Sequence, residues 1–200
     1  MIQTKRGGVM ANNITIEEGL QGLQSENAKM RDQYFYTLLS ISETFPEQLY
    51  PNWETMVSIL RKPEVSNKYV AIHLIANLVR VDTEEKFEMI FDEFYQLITH
   101  ESPVVSAHIA GVSGKIIRSK PHLQQQITSL LLNIDNVNRC RHPELLKSYV
   151  IQAFDDCFDM ISTKEQTSVI QFVKNQINSE SPKTRKTAKA FLEKWKGMLL

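Results

Sequence analysis

The chain is 200 residues long, 42% hydrophobic and 23% charged, with 23 Lys plus Arg balanced by 23 Asp plus Glu. That length can bury a sizeable core in one domain or one short repeat stack, and zero net charge argues against a nucleic-acid or anionic membrane-surface partner. Cys140 and Cys157 lack C-x-x-C spacing and so indicate neither a disulfide framework nor a zinc site, which fits a reducing, cytoplasmic setting. No apolar run reaches the roughly 18–20 residues of a membrane span.

Residues 1–13 have no apolar period and are expected to form a disordered leader. Arg6-Gly7-Gly8-Val9 can be encoded by a purine-rich stretch of the ribosome-binding type, which makes Met10 a candidate initiator of a prokaryotic gene. Residues 14–200 are expected to form one helical domain. It opens with Thr15-x-x-Glu18, a capping box followed by Ile16, Leu20 and Leu23 on one face. Gly19 and Gly22 weaken that short helix.

Paired helices then recur. A face of Met30, Tyr34, Leu38 and Ile41 precedes one of Trp53, Met56, Val57 and Leu60, with Pro46 and Pro51 in the connection. The second pair carries Val70, Ala71, Leu74, Ile75 and Leu78, then Phe87, Ile90, Phe91, Phe94 and Ile98. Asp82, three residues before Glu85, is placed to accept from the first amides of that second helix. The third pair runs through Val105, Ile109, Val112 and Ile116, then Leu123, Ile127, Leu130, Leu131 and Ile134. The fourth has Leu146, Val150, Ala153, Phe154, Cys157 and Phe158, then a Thr163-x-x-Gln166 capping box before Val169, Ile170, Val173 and Ile177. A last helix uses Thr184, Ala188, Phe191, Leu192 and Trp195, with Gly197 to stop it.

Pro63, Pro103, Pro143 and Pro182 lie 40, 40 and 39 residues apart, and Glu101-Ser102-Pro103 returns as Glu180-Ser181-Pro182. Proline suits the first turn of a helix, where its missing amide has no partner to lose. Helix pairs repeating near forty residues resemble HEAT repeats, from about Ser25 to Trp195. The resemblance implies an all-α fold, an α-α superhelix built as a short right-handed solenoid. It comprises about four hairpins (25–62, 63–102, 103–142 and 143–181) and a final helix at 182–196. Lys115, Asp155 and Asp156 fall where a strict forty-residue register prefers apolar groups.

Candidate chemistry is sparse. Asp155, Asp156 and Asp159 share one and a half turns and could bind a divalent cation, although no second ligand set accompanies them. His100-Glu101 is similar to the His-Glu pairs of the HEAT-like deoxyhypusine hydroxylases, but their di-iron centre needs several pairs and this chain has this one. His73, His108, His122 and His142 show no local metal-binding spacing. Gly111-Val112-Ser113-Gly114-Lys115 lacks the hydroxyl residue that a phosphate loop has after its lysine, and no strand precedes it. With Ala107 and Ala110 these small residues suit close helix packing. No cofactor and no metal are expected.

Charge is segregated although it sums to zero. From Asp82 to Glu93 six acids face Lys86, a net of minus five; from Pro182 to Leu200 six bases face Glu193, a net of plus five. In HEAT-like proteins the second helices line the concave surface. The resemblance therefore implies a non-catalytic scaffold that binds a protein or peptide there. Glu85, Glu88, Met89, Asp92, Gln96 and Thr99 project opposite the apolar stripe, with Gln125, Thr128, Leu132, Gln171 and Asn175 in the neighbouring units. Such a surface favours a basic partner. Lys183, Arg185, Lys186 and Lys189 form a secondary basic patch. The alternative function comes from bacterial DNA-alkylation-repeat glycosylases, which are similar in building a DNA cradle from HEAT-like helices. Trp53, Trp195 and the Asp155/Asp156 pair supply the aromatic and carboxylate types such an enzyme needs, but the tryptophans lie in opposite terminal units.

Overall fold

The computed structural model describes residues 14–137 and 142–198; the leader and Cys140 lie outside them. The chain is all-helical, with no strand among the described residues. A short helix, α1 (Ile16–Gly22), packs on α2 (Ala28–Thr44). The one-turn α3 (Pro46–Leu49) leads to α4 (Trp53–Leu60). Then come α5 (Val65–Leu78), α6 (Lys86–Gln96), α7 (Pro103–Ser119), α8 (Gln124–Leu132) and the one-turn α9 (Ile134–Val137). The chain closes with α10 (Pro143–Cys157), α11 (Thr163–Asn175) and α12 (Pro182–Trp195). Among the described residues, no helix is long and apolar enough to cross a membrane.

The longer helix of each pair stacks on its counterpart in the next: α2 on α5, α5 on α7, α7 on α10 and α10 on α12. We call these the first helices. The partners lie on the other side, α4 against α5, α8 against α7 and α11, and α11 against α12. Between the two sets runs one continuous apolar core that includes Leu38, Trp53, Leu74, Phe87, Phe94, Ile109, Phe154, Phe158 and Phe191. The expected faces of α5 to α12 supply most of it, although Met30 is exposed and Val70, Leu130, Ile170 and Ile177 are only half-buried.

Helix starts follow the sequence with two corrections. Thr15 and Glu18 form the full capping box, and Pro103, Pro143 and Pro182 each open a helix. Pro63, by contrast, lies outside α5, because Glu64 is its N-cap and Val65 its first residue. The cap of α11 is Ser162 rather than Thr163, since the Ser162 hydroxyl accepts from the Glu165 amide. Gly19 and Gly22 prove to be contact residues: a Cβ on either would press into Leu38 or Tyr34 of α2. Gly114 has the same role inside α7, where a Cβ would collide with the Ala153 carbonyl and Asp156 of α10. The small residues of α7 thus bring its backbone against α10.

The turns before the first helices share a device. The fourth residue of the helix reaches back and donates to carbonyls of the preceding turn, which would otherwise lack partners. Arg31 binds the Ser25 and Glu26 carbonyls at 2.7 and 2.9 Å. Lys68 binds those of Leu60 and Lys62 at 3.0 and 2.7 Å. The Ser106 hydroxyl donates to the His100 carbonyl at 2.7 Å, and Arg185 donates to Ser179 and Glu180 at 2.7 and 3.0 Å. In α10 that place is taken by the buried Leu146, which cannot donate. There Lys147 instead forms ion pairs with Glu144 at 2.7 Å and with Asp135 of α9 at 3.0 Å.

Candidate interaction surface

The acidic stretch around α6 is largely consumed inside the protein. Asp82 is the N-terminal anchor of α6, accepting from the amides of Lys86 and Phe87 at 3.0 and 2.9 Å. Its side chain is 0% exposed and also accepts from the Tyr50 hydroxyl at 2.6 Å and pairs with Lys120 at 3.1 Å. Burial opposes ionisation of Asp82. The hydrogen bonds from Tyr50, Phe87, Lys86 and Lys120 outweigh it and hold the carboxyl below the ordinary range. Burial likewise opposes the charge on Lys120, but Glu88 and Asp82 together raise its pKa. Glu88 is therefore a correction to the expected exposed stripe: it is half-buried, bound to Lys120 at 3.0 Å and His122 at 2.9 Å. Glu93 is bound to Arg61 through two 2.9 Å contacts and Glu84 to Lys86 at 3.4 Å.

What remains of the predicted concave surface is thin. Glu85 is exposed and caps α6 in the left-handed region, with φ 55° and ψ 31°. Met89 is 82% exposed. Asp92, Gln96 and Thr99 are exposed, and the Thr99 hydroxyl turns back onto the Gln96 carbonyl. Gln125 lies exposed beside an open depression of about 490 Å³ with Gln126, Ser129, Leu130 and Asn133. Gln171 and Asn175 are exposed and bonded to each other at 2.9 Å. Thr128, expected outside, is buried and accepts from Gln124, and Leu132 is half-buried.

The first helices carry a more continuous feature. Ring centroids step from Phe35 of α2 to Tyr69 of α5 at 5.3 Å, on to His108 of α7 at 4.7 Å and to Tyr149 of α10 at 6.0 Å. His73 joins from α5, its Nε2 lying 3.0 Å from His108 Nδ1. Lys183 of α12 ends the strip with Nζ 3.8 Å from the centre of the Tyr149 ring. Tyr36, beside Phe35, is 62% exposed; Tyr69, His73, His108 and Tyr149 are each half-buried. Burial, then His108 and Lys115, pushes His73 down to about 4, and burial, then Lys183, lowers His108. The pair is thus neutral at pH 7, one ring donating to the other.

Next to this strip, α10 and α12 enclose a groove of about 430 Å³ whose walls include Gln152, Asp155, Lys183, Lys186, Thr187 and Lys194. Lys186 and Lys189 are exposed as expected, whereas Arg185 is half-buried on its turn carbonyls and leaves the basic patch. Asp155 of α10 and Asp159 just beyond its end serve separate partners. Asp155 accepts from Trp195 Nε1 at 2.7 Å and pairs with Lys194 at 2.9 Å, while Asp159 pairs with Arg118 at 2.7 Å. Burial, then Asp155, raises Asp156. Among the described residues, no three His, Cys, Asp or Glu side chains are grouped to hold a metal ion. His100 accepts the Ser102 amide at 3.0 Å, a turn contact. Trp53 is buried in the core, so the two tryptophans do not meet on one surface. Cys157 is buried too, and burial pushes its thiol up to about 12.

No family model matches this chain, and no curated protein matches it. Two solved structures, both of engineered proteins, are similar to it at 15% identity. One aligns over 91% of this chain and 79% of its own with a TM-score of 0.46. The other aligns over 91% of this chain and 98% of its own with a TM-score of 0.42, and at these values neither likeness bears on fold family or function.

Proposed function

We propose that this chain is a HEAT-like α-solenoid acting as a non-catalytic scaffold, and that it holds a protein or peptide against the outer face of its first helices. The observation that carries this reading is the strip from Tyr36 through Tyr69, the two histidines and Tyr149 to Lys183. Tyrosine offers a large, stiff, amphipathic contact at small entropic cost, and aromatic anchors dominate binding surfaces. Stacked helix pairs suit such work, because each unit adds to an extended surface without a new core. The concave-face reading is weaker support for a basic partner once Asp82, Glu84, Glu88 and Glu93 are engaged in ion pairs. A DNA cradle is favoured less, since Arg61, Arg118, Lys120 and Lys147 are likewise paired with carboxylates.

The test is affinity capture from extracts of the source cells with wild type, a Tyr36→Ala/Tyr149→Ala double variant and a Glu85→Lys/Asp92→Lys double variant. Captured proteins should be lost with the tyrosine variant and kept with the acidic one. The reverse pattern would return the binding face to the second helices.

A further inference from the structure

We propose that the groove between α10 and α12 docks an acidic segment of a partner polypeptide. The idea rests on the scaffold reading and adds the chemistry of what is held. Three ammonium groups, Lys183, Lys186 and Lys194, face one carboxylate, Asp155, across about 430 Å³. Asp155 is already bound to Lys194 and to the Trp195 indole. Lys183 lies on the Tyr149 ring, a contact that leaves its charge uncancelled, and Lys186 forms no ion pair among the described residues. The groove thus carries two cationic groups without counter-charges.

Its length points to a peptide. Lys183 and Lys194 are eleven residues apart on one helix, so the lined wall runs about 16 Å at 1.5 Å per residue. An extended chain covers that with roughly five residues at about 3.3 Å each. Carboxylates spaced along such a segment meet the lysine wall of α12. Neutral side chains between them face Gln152 and Asp155 of α10. A duplex, with phosphates at every step, would press charge against Asp155. The leader of this chain is mismatched as an occupant, because residues 1–13 contain Lys5 and Arg6 and no acid.

The test uses the full chain and fluorescence anisotropy with three labelled probes: an eight-residue peptide alternating Glu and Ala, its Lys/Ala counterpart, and a short DNA duplex. The Glu peptide should bind, weaken with salt, and lose at least about tenfold in affinity in Lys183→Glu/Lys186→Glu. Lys29→Glu, a reversal of an exposed lysine in the first turn of α2, should leave binding unchanged. Circular dichroism should be the same for all three proteins. Equal loss in Lys29→Glu, no loss in the double variant, or tighter binding of the duplex than of the peptide would each overturn the proposal. So would a concentration-dependent dimer abolished by Lys183→Glu/Lys186→Glu without peptide binding, which would seat a second copy there. The scaffold reading fails separately: tyrosine variants that still capture every partner would remove the aromatic strip while leaving the groove in place.

Discussion

The stretch before and within α6 and the stretch of α12 carry equal and opposite charge in the sequence, minus five and plus five, yet the fold uses them differently. Around α6 the acids are structural: Asp82 and Glu88 converge on Lys120, Glu93 on Arg61 and Glu84 on Lys86, which leaves Glu85 and Asp92 without an ion pair among the described residues. On α12 and just after it, Arg185 ties a turn and Lys194 and Lys196 find carboxylates, but among the described residues Lys183, Lys186 and Lys189 do not. A charge count along a sequence therefore overstates surface charge wherever neighbouring units can supply the counter-ion. The difference follows from position in the stack. Arg61 and Lys120, from the units on either side of α6, offer it cations, whereas among the described residues α12 packs chiefly on α10 and α11.

The sharpest way to break this comparison is Lys120→Ala. It leaves Asp82 buried without its cation and should cost about 3–5 kcal/mol in chemical denaturation. A loss under about 1 kcal/mol would mean that the acidic region is not structural. Phe91→Ala should cost about 3–5 kcal/mol as well, through the cavity it opens in the face of α6.

The paired histidines give a smaller effect with a defined sign. His73 and His108 are depressed in the fold, so the unfolded chain binds more protons below its ordinary value of 6.5. Their contribution is complete above that value and is lost as pH falls toward about 4, the value for His73. The rings face Tyr69 and Tyr149, and Lys115 beside His73 and Lys183 beside His108 further disfavour the proton. Denaturation at pH 7 and pH 5 should differ by roughly 2 kcal/mol for His73, and His73→Gln should flatten the profile. Asp82, also depressed, loses its contribution at lower pH, as protonation proceeds through its folded value. The two windows are therefore separable.

Next in size is Glu88→Lys, which sets a second cation against Lys120, removes the carboxylate that His122 binds and should cost about 1–3 kcal/mol. Smallest are Glu85→Lys, Asp92→Lys and Lys189→Glu, each expected within about 0.5 kcal/mol of wild type because these side chains are exposed and make no ion pair among the described residues. If Asp92→Lys were as damaging as Glu88→Lys, the division between structural and surface acids would fail.

Helix faces were readable because their period is local. Ile109, Val112 and Ile116 repeat every three or four residues, and burial follows that repeat. The surface was less readable because its contacts are not local. Tyr50 finds Asp82 across 32 residues, Ser42 finds Asn77 and His73 finds His108 across 35, Lys120 reaches the Asp82 carbonyl across 38, and Trp195 meets Asp155 across 40. A helical wheel says which side faces the core, but not which residue of the next unit stands beside its edge. Metal-binding histidines on one helix stand about four residues apart, whereas His73 and His108 are 35 apart, close to the repeat itself. One signal was available: Ser25-Glu26 with Lys29 and Arg31 returns as Ser179-Glu180 with Lys183 and Arg185, and in both places the arginine closes the turn.

Those closed turns bear on how the molecule yields under load. A joint sewn by a side chain to backbone carbonyls resists pulling through short hydrogen bonds that ions in solution barely touch. The joint ahead of α10 is sewn differently, by Lys147 to a carboxylate of α9 whose side chain is 55% exposed. Ions compete for that tie. Raising the ionic strength should therefore soften that one tie while the other turns keep their stiffness.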